Sequence, residues 1–273
     1  MADIIFNFVG ISLVNWQSGH NFFNDTLGIK TTLNPAYGDW AVLGAAWDGY
    51  YHDGTHSLVV EVFDNGRAVT ARHWGLNQGM RPAIHVNDLG ATIERLRERS
   101  VHFTGEIEHR AWGDQIEFLT VEGIRWSLAH CPGRHVRDNF ASPQFGHVGI
   151  KAIHFDAQKR FYGDKMGFML TDEGADFAFF DQKLPDHPFI VLERGGQNGI
   201  EHEPIPGRWR DDPVRSAPVF LSLMTQNATK IFQEFKQADV RILREIRHHD
   251  DWGGTDFHVA DADGNPIQVV QYS

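Results

Sequence analysis

Apolar residues in this chain fall in short runs rather than long stripes, and the runs change period in a recurring order. Phe8 to Val14 has the apolar, β-type character of a strand, and Gln17 to Thr26 reads as a short helix that stops before Gly28, a residue suited to the left-handed conformation at a helix end. The order returns with a strand at Pro82 to Val86, then Asp88 as an N-cap with Leu89, Ile93 and Leu96 at helical spacing, then a strand from Val101. It returns twice more, as His147 to Ile153 followed by a helix from Asp156 to Met166, and as Val219 to Leu223 followed by a helix through Ile231, Phe232 and Phe235. Short apolar segments separated by Gly, Asp and Asn turns follow the helices: Trp40 to Leu43, Ser57 to Phe63, Phe177 to Phe180, Phe189 to Glu193, Asp256 to Val259 and Ile267 to Val270. The unit they predict is βαβββ, and the chain starts it four times.

The residues themselves repeat as well. Phe8-Val9-Gly10-Ile11 recurs as His147-Val148-Gly149-Ile150, an offset of 139 from position 8 to position 147. In the same register Phe22-Phe23, Asp25 and Gly28 recur as Phe161-Tyr162, Asp164 and Gly167. Farther on, Glu106-Ile107-Glu108-His109 returns as Glu245-Ile246-Arg247-His248, and Trp112-Gly113 as Trp252-Gly253. A duplication of this kind predicts two homologous domains, 1–133 and 146–273, joined by a polar, turn-rich linker over 134–145.

Composition narrows the function classes. The 273 residues favour two domains, and 8 Trp, 5 Tyr and 20 Phe in a chain that is 41% hydrophobic exclude wholesale disorder. With 25 Lys and Arg against 36 Asp and Glu the net charge is −11, which opposes nucleic-acid binding because displacing phosphate counterions needs a surplus of cations. Cys131 is the one cysteine, so no intrachain disulfide forms, and no Cys/His spacing matches a zinc finger; a reducing compartment is expected. The amino terminus lacks the basic and apolar segments of a secretory signal and no run spans a bilayer, so a cytoplasmic protein without a membrane partner is expected. Sixteen histidines invite a metal hypothesis that only their spacing can decide.

Two pairs of runs carry a resemblance. His147-Val148-Gly149-Ile150 with Phe161-Tyr162-Gly163-Asp164-Lys165-Met166-Gly167-Phe168, and Trp252-Gly253-Gly254-Thr255-Asp256-Phe257-His258 with Asp261-Ala262-Asp263-Gly264-Asn265-Pro266-Ile267-Gln268, resemble the vicinal oxygen chelate superfamily of glyoxalase I, bleomycin-resistance proteins and type I extradiol dioxygenases. Phe22-Phe23-Asn24-Asp25-Thr26-Leu27-Gly28 and Trp112-Gly113-Asp114 are a weaker version in the first half. The resemblance implies an α+β fold of two tandem glyoxalase/bleomycin-resistance-type domains, each made of two βαβββ modules that form a cupped mixed sheet around a small-molecule cavity. It does not fix a reaction, because one fold hosts many chemistries.

Members with a metal place His or Glu on inward positions of the first and last strands of each module, where alternate residues share a face. In the second half that implies His147 on a first strand and Gln268 on a last strand, where Gln offers a carbonyl oxygen without charge. The remaining first-strand position falls among Ala217, Pro218, Val219 and Phe220, none of which ligates, and Glu193 is a co-ligand if its strand register allows. In the first half the positions hold Phe8, Arg81 and Ser127, with Glu61 as the one inward acid, so no metal ligands are evident there. Counting back from Gln268, His249 and His258 occupy places that in extradiol dioxygenases hold a proton-transferring His and a Tyr. The run from His248 to Asp251 also reads as a polar loop facing solvent. Trp112 and Trp252, each before a Gly, either cap a cavity or pack against a helix, and the long loop from Gly195 to Pro213 either covers the second-half cavity or mediates a contact.

The expected ligand-binding set is therefore His147, His249, Trp252, His258 and Gln268, with no catalytic residue assigned. The expected function is a cytosolic small-molecule-binding protein with a degenerate metal site and an aromatic or partly apolar ligand. Two alternatives stand beside it. One is a metal-dependent dioxygenase, lyase or isomerase holding Fe, Mn, Ni or Zn through His147, Gln268 and Glu193. The other is an interaction scaffold. A homo-oligomer is compatible with each.

Overall fold

A computed structural model describes residues 4–13, 19, 21–28, 31–33, 40–43, 59–64, 79–121, 123–132, 144–181, 189–195, 212–214, 217, 219–251 and 253–272. The first module contains β1 (Ile4–Leu13), β2 (Thr31–Leu33), β3 (Trp40–Leu43) and β4 (Val59–Asp64). The second contains β5 (Met80–His85), helix α1 (Leu89–Glu98), β6 (His102–Phe103), β7 (Glu108–Arg110), β8 (Gly113–Leu119) and β9 (Arg125–His130). In the third, β10 (Gln144–Ala152) leads to α2 (Phe155–Arg160), β11 (Met169–Glu173), β12 (Phe177–Asp181) and β13 (Phe189–Arg194). The fourth has β14 (Val219–Thr225), α3 (Ala228–Gln237), β15 (Ile242–His248), β16 (Thr255–Ala260) and β17 (Pro266–Gln271).

Local chemistry accounts for the helices. Asp88 caps α1 by accepting from the Ala91 amide, and Asn227 caps α3 by accepting from Lys230, so both starts satisfy a backbone donor that the helix leaves open. Leu89, Ile93 and Leu96 form the buried stripe of α1, and Ile231, Phe232 and Phe235 that of α3. The helix expected over Asp156 to Met166 is α-helical only to Arg160. A π-helical turn, Phe161–Lys165, continues it, and the same turn recurs at Phe22–Thr26 within the helix expected from Gln17. In each, an amide bonds five residues back, Met166 to Phe161 and Leu27 to Phe22, and the wider turn directs two successive aromatic rings inward. Gly167 and Gly28 then take positive φ at the ends of these turns.

The α+β class and the four modules are those the sequence predicts, but the modules join differently. One sheet has the order β15-β16-β17-β14-β1-β4-β3-β2, and the other β11-β12-β13-β10-β5-β9-β8-β6 with β7 paired to β8. The first module therefore shares a sheet with the fourth, through antiparallel β1 and β14, and the second shares one with the third, through antiparallel β5 and β10. The expectation that two modules of one half form a sheet is corrected by this topology. Each first strand has one edge taken by its own module's last strand, as β10 is by β13, and homologous modules offer interchangeable partners for the other edge. Hydrophobic pattern alone does not choose between them. A continuous core runs between the elements of both sheets, and a smaller cluster of Ala129, Cys131, Phe179 and Val191 lies on the opposite face of the second sheet. No helix among the described residues is long and apolar enough to cross a membrane.

Candidate functional site

Register decides which residues share the face that carries this smaller cluster. His147 on β10 stands opposite Ala83 on β5 and Phe189 on β13, Gly149 opposite Arg81 and Val191, and Lys151 opposite Glu193. On the other side Ala83 pairs with Ser127 of β9 and His85 with Ala129. Strand alternation thus lines up Arg81, Ala83 and His85 with His147, Gly149 and Lys151 on one surface.

Two zones divide that surface. In the first, His85 Nε2 lies 2.8 Å from His147 Nδ1 and 3.4 Å from Cys131 Sγ, all three residues being buried. Trp112 meets the His147 ring edge-on with centroids 5.1 Å apart and Phe179 at 5.8 Å, and Phe177 stacks edge-on against Phe179. In the second zone charges neutralise one another. Arg81 pairs with Glu117, whose other oxygen receives Arg125 at 3.3 Å. Glu193 pairs with Lys151, accepts from Gln115 at 3.1 Å and has Arg110 at 3.8 Å. Burial, with Arg125 close by, pulls the Arg81 guanidinium below its ordinary pKa. Burial would raise Glu108, yet hydrogen bonds from Arg110 and Gln115 win and hold its carboxyl low. Two buried donors on this surface, Arg81 Nε and Trp112 Nε1, have no acceptor among the described residues.

The other sheet gathers a different set. Asp256 is fully buried and receives Arg244 at 2.5 Å, His249 Nε2 at 2.8 Å and Gln268 Nε2 at 2.8 Å. Arg244 also donates to Asp212 at 2.9 Å. Burial opposes the charge on Asp256, but the imidazole of His258 beside it, Arg244 and His249 hold its carboxyl far below the usual range. His258 is itself enclosed, with its nitrogens 3.4 Å from Asp256 and 3.6 Å from Asp212. Those separations make the carboxylates electrostatic neighbours rather than firm bonds, and burial lowers the pKa of the imidazole.

The residues expected to form one site are thus divided. His147 belongs to the second sheet, whereas His249, His258 and Gln268 meet around Asp256 in the first; Trp252 lies outside the described residues. His248 is exposed, but His249 turns inward, so the run is not wholly a solvent-facing loop. Glu193 cannot join His147 on an ion: it is four residues beyond Phe189, the residue opposite His147, or about 13 Å along the strand. Sequence reasoning missed His85, which sits in an apolar run, and gave Cys131 no partner.

Because the second and third modules share a sheet, His147 faces Arg81, Ser127 and Val191, an imidazole with a committed cation, a hydroxyl and an alkyl group. In the other sheet Gly10 stands opposite Phe220 and Glu61, and the Phe220 ring fills the space above Gly10, where a Cβ would meet it at 2.0 Å. Gln268 spends both ends of its amide, accepting from Ser222 at 3.1 Å and donating to Asp256. Of Phe8 and Glu61 the backbone alone is described. Neither set offers the two imidazoles and a carboxylate that the resemblance implies, so the family metal does not fit.

Comparison with known proteins agrees with this topology. Residues 144–269 match the model of the Glyoxalase/Bleomycin resistance protein/Dioxygenase superfamily. Glyoxalase I from Zea mays superposes with a TM-score of 0.67 at 13% identity, over 98% of this chain and 92% of that one. A point mutant of the same maize protein reaches 0.71 at 14% identity, with the same two coverages. At that identity the likeness concerns the fold. No curated protein matches the sequence.

Proposed function

From the match of residues 144–269 to the glyoxalase/bleomycin resistance protein/dioxygenase superfamily we propose that this chain is a small-molecule-binding member whose ligand occupies the face of the second sheet around Trp112, His147 and Arg81. The observation that carries the reading is the pair of buried donors on that face, Trp112 Nε1 and Arg81 Nε, which lack acceptors among the described residues. A buried N–H without a partner costs about 1–3 kcal/mol, which a ligand oxygen relieves. Trp112, Phe177 and Phe179 supply an aromatic wall, so the ligand combines a planar or partly apolar body with carbonyl or carboxylate oxygens. In this reading His249, His258 and Gln268 serve Asp256 and the fold rather than the ligand, and the protein acts in the cytosol.

The glyoxalase activity named for the maize structures is not carried over, because His147, Arg81, Ser127 and Val191 cannot reproduce the family's donor set. The test is equilibrium dialysis and calorimetry of the full chain against a panel of aromatic acids, aromatic ketones and drug-like compounds. One-to-one binding that quenches tryptophan fluorescence, and that falls in Trp112→Phe and Arg81→Met, is expected. A panel without any binder, together with metal-dependent turnover, overturns the reading.

A further inference from the structure

We propose that His85, Cys131 and His147 bind one zinc-type divalent cation, at a place that has only His147 in common with the family's metal positions and whose argument does not rest on the ligand reading above. One donor atom from each residue lies within 4.8 Å of the other two, and all three residues are buried. Three separate segments deliver them: the last residue of β5, the residue following β9, and the middle of β10. His147 is shared with the family's set; Arg81, Ser127 and Val191 take no part.

The donors select the ion. Two imidazoles and a thiol make a borderline-to-soft set suited to Zn²⁺ and Co²⁺, and no carboxylate in the set invites Mg²⁺ or Ca²⁺. Glu193, an acid on the same surface, is held by Lys151 and Gln115. Tetrahedral zinc, with Zn–N about 2.0–2.1 Å and Zn–S about 2.3 Å, sets its nitrogens about 3.3 Å apart and nitrogen from sulfur about 3.5 Å. The 3.4 Å between Cys131 Sγ and His85 Nε2 already matches, and the 2.8 Å between the imidazoles opens by about half an ångström. Protons shared among the donors join the cluster: His85 Nε2 touches both neighbours, and a single ring nitrogen cannot donate to both with one proton. Binding replaces those protons, with the Cys131 thiol giving up its own as thiolate.

The surroundings fit an ion rather than a plain hydrogen-bonded core. Trp112, Phe179, Val191 and Ala129 enclose the cluster with apolar groups, which strengthens thiolate–metal attraction. Gly146, next to His147, leaves room for the His85 ring: a Cβ there would lie 2.1 Å from the ring carbons. The backbone has yielded space to place this imidazole.

Full-length untagged chain, purified without chelator or a nickel column and then stripped of metal, is titrated with Co²⁺. The expected result is a sulfur-to-cobalt charge-transfer band that saturates at one equivalent, is displaced by Zn²⁺ and is untouched by Mg²⁺. Cys131→Ser abolishes the band, and His85→Ala, His147→Ala and Gly146→Ala weaken cobalt binding about tenfold or more. Native mass spectrometry of the unmodified chain reads the same site without any variant, as one zinc ion retained per chain. No charge-transfer band, no retained zinc, or a Cys131→Ser titration equal to wild type overturns the proposal. Because the titration contains no organic ligand, its failure is separate from failure of the binding reading.

Discussion

Tyr162 donates its hydroxyl to Asp261 at 2.9 Å, and this bond links modules that lie in different sheets. The ring of Tyr162 packs near Phe180 of the second sheet, whereas Asp261 opens the turn between β16 and β17 of the first. Asp261 also accepts from the amides of Asp263 and Asn265 and from the Asn265 side chain, while Asp263 receives the amides of Ile153 and His154. Tyr162→Phe removes one bond to a buried carboxyl without changing the ring. Urea unfolding should show a loss of about 1.5–3 kcal/mol.

The pH dependence of stability has a sign fixed by Asp256. Its carboxyl titrates below its unfolded value, so its contribution is complete above the ordinary Asp pKa of about 3.9 and is lost as pH falls below that point. Asp256→Asn leaves Asp212 as the one carboxylate on Arg244 among the described residues and should cost about 2–4 kcal/mol at pH 7. Chemical denaturation across pH should show the gap between wild type and variant closing below about pH 4.

Restoring the family's carboxylate at position 268 should fail to restore a metal. Gln268→Glu sets a second anion where an amide now donates to Asp256 at 2.8 Å, so like charges meet in a buried site. A loss of about 1–3 kcal/mol at pH 7, without any gain in bound divalent metal in that sheet, is the expected result of unfolding and metal analysis.

Gly113 supplies a backbone prediction. Its φ is 148°, and a Cβ would approach the His130 carbonyl oxygen at 2.3 Å, so neither conformation nor space admits a side chain. Gly113→Ala should destabilise by about 2–4 kcal/mol in thermal or urea unfolding, whereas Gly105→Ala, where a Cβ meets nothing within 4 Å, should change little.

The sequence made the modules legible because strand, helix and turn signals agree locally, as at Asp88 with Leu89, Ile93 and Leu96. It concealed the edge strands. β11, at one end of its sheet, is exposed along its whole length, and Met169-Leu170-Thr171-Asp172-Glu173 has no buried alternation to detect. β15 likewise ends the other sheet with mostly partial burial. The Trp-Gly repeat was visible, although at Trp112-Gly113 the steric demand falls on the glycine as much as on the ring. The candidate site was the least legible part. His85 is 46 residues from Cys131 and 62 from His147, and β5 meets β10 only through pairing between the two halves. Tertiary pairing of this kind leaves no spacing rule in the sequence.

That exchange of partners also bears on how the two faces diverge over evolutionary time. Each half donates one module to each sheet, so neither sheet is the property of one repeat, and a substitution confined to one gene copy of the duplication alters one wall of a site while its opposite wall descends from the other. Fusion into one chain frees the four walls from identity. His147 and Arg81 line one face while Phe8 and Phe220 hold the matching positions in the other sheet, a divergence closed to two identical half-length subunits.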